Sequence, residues 1–218
     1  MDNLTMLTDL YQLTMMQGYL VNGYHNKEAV FDVFFRTLPF EGGYALVSGL
    51  EQVVEYIENL TFGEEDLAYL RSLNLFTEDF IQELRNFRFT GDIDAVPEGT
   101  PVFPYEPLIR VKGRIFETQL IETTILNLIN FETLIATKAS RVVAAANGGS
   151  IMEFGLRRAQ GPDAGILGAR AAFIGGCQST SNVLAGERYG IPVSGTQAHS
   201  WIQGFPSELE AFRAYART

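Results

Sequence analysis

The sequence predicts an α/β fold in which an N-terminal α+β domain, residues 1–115, is followed at 116–218 by the first strands of an irregular α/β barrel. Three observations predict it. Residues 88–113 carry Pro97, Pro101, Pro104 and Pro107 between short β-branched and aromatic runs, the composition of a small β module with tight turns. Residues 116–146 then form a long apolar periodic segment that stops at Asn147-Gly148-Gly149, which reads as one or two stacked helices. After Gly149 the rhythm becomes strand, helix, strand, helix, strand, the alternation of parallel strands with crossover helices.

The elements follow in order. Thr8-Asp9 offers a helix cap ahead of Leu10, Leu13, Met16 and Leu20, and Gly23 stops that helix. Phe31, Val33 and Phe35 alternate with Asp32 and Phe34 as a half-buried strand ending near Pro39. Ser48 and Glu51 have the spacing of a capping box before Leu50, Val53, Val54 and Ile57, with Gly63 closing the helix. Two further short helices are expected at 64–72 and 78–86. Past Gly149 the strands fall at 150–154, 178–182 and 192–196, and the helices at 163–174 and 183–189. Ser, Thr and Asn near the strand ends suit a barrel whose strand ends line a site. Three strands cannot close a barrel, so either further sequence completes it or the sheet is small and open.

A hydrophobic content of 46% with 19% charged residues is that of a folded globular protein. The start, Met1-Asp2-Asn3-Leu4-Thr5, lacks a basic region followed by an apolar run, and no stretch approaches the ~18 apolar residues of a membrane helix. A soluble protein with no membrane association is expected. One cysteine, Cys177, excludes an intrachain disulfide framework and fits a cytoplasmic setting; its apolar surroundings read as those of a buried, inert thiol. The net charge of −10 argues against nucleic-acid binding. Between Arg110 and Arg170, however, eight basic residues face five acidic ones, a local balance of +3 that suits a small anionic substrate.

Two histidines are present. His25 lies in a polar turn and reads as a surface residue. His199 follows an expected strand end in Gly195-Thr196-Gln197-Ala198-His199-Ser200, where small and hydroxyl residues let a ligand approach the backbone. Without a second His or paired Cys nearby, no zinc site and no metal-ligating set is expected, whereas a neutral imidazole can accept a phosphoryl group. Glu153-Phe154-Gly155-Leu156-Arg157-Arg158 sets an aromatic ring and two guanidinium groups at another strand end, a natural receptor for a flat ring bearing a carboxylate. Neither a Rossmann nor a Walker glycine pattern occurs.

Four stretches, Leu7-Thr8-Asp9-Leu10-Tyr11-Gln12, Phe31-Asp32-Val33-Phe34-Phe35-Arg36, Phe154-Gly155-Leu156-Arg157-Arg158 and Gly195-Thr196-Gln197-Ala198-His199-Ser200, resemble the nicotinate phosphoribosyltransferase family in order and spacing. The resemblance covers essentially the whole chain and about the N-terminal half of a typical member. It implies a type II phosphoribosyltransferase-like fold. It also implies transfer of the phosphoribosyl group from phosphoribosyl pyrophosphate to nicotinate, giving nicotinate mononucleotide and pyrophosphate in NAD salvage with ATP hydrolysis. Tyr11 resembles the tyrosine that reaches into a neighbouring subunit's site, implying a homodimer with a shared active site, and Phe154 resembles the ring on the opposite face of the pyridine. Arg157 resembles the arginine beside pyridine and ribose phosphate, Thr196 a hydroxyl residue contacting nicotinate, and His199 the histidine that ATP phosphorylates. Arg36, Lys138 and Arg141 are further candidates for phosphate binding, and Mg²⁺ would accompany the pyrophosphate.

The related nicotinamide enzymes carry an acidic residue near the position of Asn182, and Ser179-Thr180-Ser181-Asn182 has none, which favours the acid over the amide. The family's later strands, which bring further arginines and a glycine-rich phosphate loop, are not in these 218 residues, so the chain is not expected to turn over unaided. Two alternatives stand beside this reading: a quinolinate or nicotinamide phosphoribosyltransferase, and a noncatalytic truncated module of the same fold.

Overall fold

A computed structural model describes residues 3–218; Met1 and Asp2, the first residues of the start considered above, lie outside the described residues. The N-terminal part runs α1 (Leu10–Val21), β1 (Glu28–Val33), β2 (Ala45–Leu46), α2 (Leu50–Glu58), α3 (Glu64–Ser72), α4 (Glu78–Arg85), β3 (Asp92–Ala95), β4 (Pro101–Val102) and β5 (Ile109–Arg114). The chain continues with α5 (Ile115–Leu120), α6 (Glu122–Ala145), β6 (Met152–Glu153), α7 (Pro162–Ile174), β7 (Ser179–Thr180) and α8 (Val183–Tyr189), and ends in α9 (His199–Gln203) and α10 (Glu208–Tyr215).

The β module forms as expected, with β5 central and β1 and β3 antiparallel on either side. Strand β5 buries Ile109 and Val111. As an edge strand β1 is more exposed than its alternation suggested; Phe31 stays 45% exposed, and Asp32 meets its cross-strand partner Arg110 through two bonds of 2.7 and 2.9 Å. The long apolar segment divides into α5 and the 24-residue α6. One core gathers Leu13 and Met16 from α1, Val53 from α2, Leu67 and Leu70 from α3, Phe80 and Leu84 from α4, Phe116 and Leu120 from α5, and Ile125 and Ile129 from α6. That core runs continuously across residue 115. Phe116 anchors it, edge-on to Phe80 at 6.0 Å and tilted against Phe87 at 6.3 Å.

The expected caps are corrected by tertiary contacts. Asp9 occupies the cap position of α1, but its carboxylate accepts a bond from Thr123 Oγ1 on α6 at 2.9 Å and none from the helix. The Ser48–Glu51 capping box does not form. Gly49 is the cap of α2, and its N–H and that of Leu50 donate to Glu98 Oε1 at 2.6 and 3.0 Å, so a distant carboxylate satisfies the free helix end. Gly63 does not close α2, which ends at Asn59; it precedes α3, where Asp66 accepts its N–H at 2.8 Å. Past Gly149 the two helices appear at their expected places, while the strands shrink. Strands β6 and β7 pair in parallel over two residues each, and the third expected strand contributes one parallel bridge, Thr180 to Val193.

A buried charge cluster ties α7 to the N-terminal part. Arg170 on α7 donates to Glu98 at 2.9 and 2.6 Å, to Glu51 Oε2 through Nε at 3.0 Å, and to Glu132 Oε2 at 3.3 Å, with its guanidinium 5.6 Å from the Tyr189 ring. Burial opposes the arginine's charge, but the three carboxylates outweigh it and raise its pKa. Glu98 is likewise pushed up by burial, yet the bonds from Arg170, Gly49 and Leu50 leave it lowered. Glu132 is fully buried and its Oε1 has no hydrogen-bond partner among the described residues. Burial pushes its carboxyl up to about 7, Arg170 pulls against that, and the neighbouring Glu98 adds to it.

Because the folded pKa of Glu132 lies above its ordinary 4.5, the folded state holds this proton after the unfolded state has released it. Its contribution to stability therefore falls as pH rises from about 4.5 to about 7 and is level above that. Glu132→Gln keeps the shape without the ionisation. Its melting temperature relative to wild type is expected to rise between pH 5 and pH 8 in thermal melts; a mutant-minus-wild-type difference that stays constant over this range contradicts the assignment.

Candidate active site at the strand ends

The parallel register sets Met152 against Ser179 and Glu153 against Thr180, and the next bridge sets Thr180 against Val193. Three neighbouring segments thus leave the sheet on one edge, at Phe154, Ser181 and Ser194. Phe154 is 42% exposed there, and a single 3₁₀ turn, Leu156–Arg158, follows it. Arg157 and Arg158 on that turn are exposed and make no ion pair among the described residues. Thr196 is exposed just beyond the Val193 bridge, and His199, also exposed, opens α9. Trp201 packs α9 onto α10, donating from Nε1 to Ala211 O at 3.0 Å and meeting Phe205 at a tilt and Tyr215 edge-on. Four of the expected site residues, Phe154, Arg157, Thr196 and His199, therefore follow the carboxyl ends of the two parallel segments that flank β7, where α/β folds bind ligands.

The other expected residues lie elsewhere on the chain. Tyr11 is 49% exposed on α1 and lines a cavity of about 500 Å³ together with Phe34, Phe35, Glu122 and Leu126. None of the four strand-end residues belongs to that wall. Arg36 is exposed between Phe35 and Thr37, which do belong to it. Lys138 and Arg141 share a separate cavity of about 250 Å³ with Phe40, their charges 5.2 and 5.5 Å from its ring. Arg141 is committed to holding a loop, donating to Phe40 O and Tyr44 O, each at 3.1 Å.

The +3 segment does not form an open basic patch. Arg110, Lys112, Arg114 and Arg170 are paired with carboxylates, so among the described residues the cations left near the strand ends are Arg157 and Arg158. His25 is half-buried rather than a surface residue, with Nε2 3.0 Å from Asn26 Nδ2 and Nδ1 enclosed without a partner among the described residues. Asn182 is buried and bonded at both ends of its amide. It caps α8 through Ala185 N–H at 3.2 Å and donates to Gly165 O at 3.1 Å, so its side chain serves the scaffold. Cys177 is buried, and burial followed by the nearby Glu153 charge raises its thiol pKa, as befits an inert group.

The sequence reading missed Glu153 and Thr180, which join the strand ends to one another. Glu153 Oε2 accepts from Thr180 Oγ1 at 2.6 Å, and Thr180 Oγ1 accepts from Asn182 N–H at 3.0 Å. An acid inside a short strand, facing a threonine on the next, was the available signal.

Comparison with known proteins decides the family. Residues 6–130, more than half of the chain, match the family model described as the nicotinate phosphoribosyltransferase N-terminal domain. The chain belongs to the nicotinate phosphoribosyltransferase family. A nicotinate phosphoribosyltransferase of Bacillus subtilis is 50% identical over 217 residues, 100% of this chain and 44% of the relative. The crystal structure of human nicotinic acid phosphoribosyltransferase superposes with a TM-score of 0.84 at 40% identity, covering 91% of this chain and 40% of that one. A nicotinate-nucleotide pyrophosphorylase from Pyrococcus furiosus gives a TM-score of 0.80 at 26% identity over 98% of this chain and 47% of its own. The chain thus spans under half the length of these nicotinate phosphoribosyltransferase relatives.

The loop that Arg141 holds makes a demand on sequence. A Cβ added to Gly42 would lie 1.5 Å from Arg141 Nη2, and the two preceding residues, Phe40 and Glu41, already take positive φ of 58° and 51°. In this nicotinate phosphoribosyltransferase family member Gly42→Ala is expected to displace the guanidinium and cost about 1–3 kcal/mol in urea denaturation. Arg141→Met, which removes both bonds, should make the Gly42→Ala change nearly silent in a double-mutant cycle; full additivity would contradict this coupling.

Proposed function

We propose that this chain is the N-terminal part of an enzyme that transfers the phosphoribosyl group from phosphoribosyl pyrophosphate to nicotinate, giving nicotinate mononucleotide and pyrophosphate with ATP hydrolysis. What supports the reading is that the two segments carrying Phe154 and Arg157 on one side of β7 and leading to Thr196 and His199 on the other leave the sheet at the same end, in a chain of this family.

Displacement at the ribose passes through a cation-like state, so the protein's work is to position the base and stabilise the leaving pyrophosphate. The exposed Phe154 ring offers a stacking face for the pyridine. Arg157, with no carboxylate partner among the described residues, has its guanidinium available for the nicotinate carboxylate or the ribose phosphate. The Thr196 hydroxyl, exposed beyond the Val193 bridge, is the group this reading assigns to contact the pyridine acid. The His199 imidazole takes the γ-phosphoryl group of ATP and releases it to water, which couples nucleotide hydrolysis to the synthesis. Among the described residues no group of three or more His, Cys, Asp or Glu side chains is arranged to hold a metal ion, so Mg²⁺ enters this reading as a companion of the pyrophosphate.

Tyr11, exposed on another surface, supplies the second face of the pyridine site by reaching into a second copy, which makes the assembly a homodimer. Arg36 lies next to the same groove and serves phosphate binding there, and Lys138 is the freer of the two α6 cations for that task. A cytoplasmic setting accompanies a free, buried thiol, and among the described residues no helix is long and apolar enough to cross a membrane.

The product of the complete reading frame is expected to convert nicotinate in preference to quinolinate and nicotinamide, and to take up label from γ-labelled ATP. His199→Ala should lose the label and the ATP-dependent part of the rate. Phosphoribosyl transfer to nicotinate that is undiminished in His199→Ala removes the mechanism, and a preference for quinolinate removes the substrate.

A further inference from the structure

The strand edge is held by a carboxylate that belongs to none of the roles above. Glu153 is half-buried at the last position of β6, immediately before Phe154. Its Oε1 accepts the backbone N–H of Gly155, folding the side chain back over the turn that presents Phe154. Its Oε2 accepts the hydroxyl of Thr180 at 2.6 Å, and its backbone carbonyl accepts Ser181 N–H at 3.0 Å. Thr180 is fully buried and is itself tied to the third segment, donating its N–H to Pro192 O at 3.0 Å and accepting Ser194 N–H on its carbonyl at 3.1 Å. One carboxylate therefore links the turn carrying Phe154 and Arg157 to the segment that leads to Thr196 and His199.

The contact is tight enough to constrain sequence. A Cβ on Gly155 would lie 2.8 Å from Glu153 Oε1, so the backbone at 155 has to be bare for the carboxylate to reach it. With strands of two residues each, the backbone ladder alone offers few bonds to fix the three strand ends. Side-chain bonds must supply the rest.

We propose that Glu153 is a positioning residue for the pyridine substrate, fixing the Phe154–Arg157 turn against β7 without touching the substrate. This rests on the functional reading given above. Shifting the stacking ring and the guanidinium by a fraction of their width weakens base binding, while a base that does bind meets the same His199 and the same phosphoribosyl donor.

Steady-state kinetics on the product of the complete reading frame test it. Glu153→Ala is expected to raise KM for nicotinate about tenfold or more, leaving kcat within about threefold of wild type and raising KM for phosphoribosyl pyrophosphate by less than KM for nicotinate. Glu153→Gln should restore part of the affinity, because its oxygen can accept Gly155 N–H while its amide donates to the spare lone pair of Thr180 Oγ1, at the cost of leaving the Thr180 hydroxyl proton without its acceptor. Glu153→Asp, a methylene too short to span both partners, should behave like the alanine variant. If Glu153→Ala fails to fold, Thr180→Val removes one arm of the link at nearly constant volume and should show a smaller rise of the same kind.

A nicotinate KM unchanged in folded Glu153→Ala, or in Thr180→Val where that variant has to stand in, overturns the proposal. So does a glutamine variant as impaired as the alanine one. Wild-type protein without phosphoribosyl transfer to nicotinate overturns the functional reading and this assignment together, and that result is visible before any variant is compared.

Discussion

A buried arginine sets the terms on which the two halves of this chain meet. Arg170 stands on the helix between the two short parallel strands, while the three carboxylates that answer it come from the start of α2, from the loop before β4 and from the middle of α6. A guanidinium offers five donors in a fixed plane, and here they are divided among Glu51, Glu98 and Glu132 with the Tyr189 ring alongside. Such clusters gain little net stability over apolar packing, since each ion gives up its hydration. What they provide is register. Apolar α6 and α7 surfaces meeting through Ala136, Ala139, Ala171 and Ala172 could slide, and a charge that must face three fixed acids cannot.

The same cluster explains why local rules read from the sequence failed where they did. Ser48 and Glu51 have capping-box spacing, yet Glu51 turns to Arg170 and the helix end is capped by Glu98, 49 residues away from Gly49. Asp9 likewise leaves its helix for Thr123. Helix existence was legible because apolar periodicity reports burial, and α1, α3, α4, α7 and α8 fall within two residues of where it places them. Cap identity was not legible, because a carboxylate from a distant element competes with the local one and leaves no trace in the spacing. Strand lengths were overestimated for a related reason. Residues 150–154, 178–182 and 192–196 have the composition of strands, but the parallel pairing covers two residues each of β6 and β7 and a single bridge to Val193.

The candidate site was legible in a more uneven way. Phe154, Arg157, Thr196 and His199 stand out because aromatic, cationic and imidazole groups follow strand ends, and the register brings those ends to one edge. Lys138 and Arg141 were singled out by charge alone, and charge does not reveal that Arg141 is occupied by two carbonyl oxygens of the 40–44 loop. Local charge balance misled in the same manner, since four of the eight cations between Arg110 and Arg170 are neutralised by acids, several of them distant in sequence. Asn182 entered the sequence reading as the position where related nicotinamide enzymes carry an acid, and the spacing gave no sign that its two polar ends complete the cap of α8 and a bond to α7.

The separation of the two exposed aromatic rings is informative about how a site of the proposed kind is completed. Tyr11 and Phe154 are each close to half exposed, Tyr11 on the wall of the cavity of about 500 Å³ and Phe154 outside it, and each ring leaves area accessible where a flat base could stack. A single stacking face in water holds a pyridine weakly, because the opposite face stays hydrated and the carboxylate is screened. Enclosing the base between two rings removes water from both faces and strengthens the Arg157 interaction by lowering the local dielectric. Tyr11 is held in place by α1, whose Leu13 and Met16 are buried in the core, and its cavity does not include Phe154. The proposed dimer resolves the conflict by leaving α1 in place and bringing another copy's strand edge to it. Affinity for the base would then depend on assembly, and the rigidity that Glu153 gives to the Phe154 turn would matter most where the two rings must face each other across a gap the width of one pyridine.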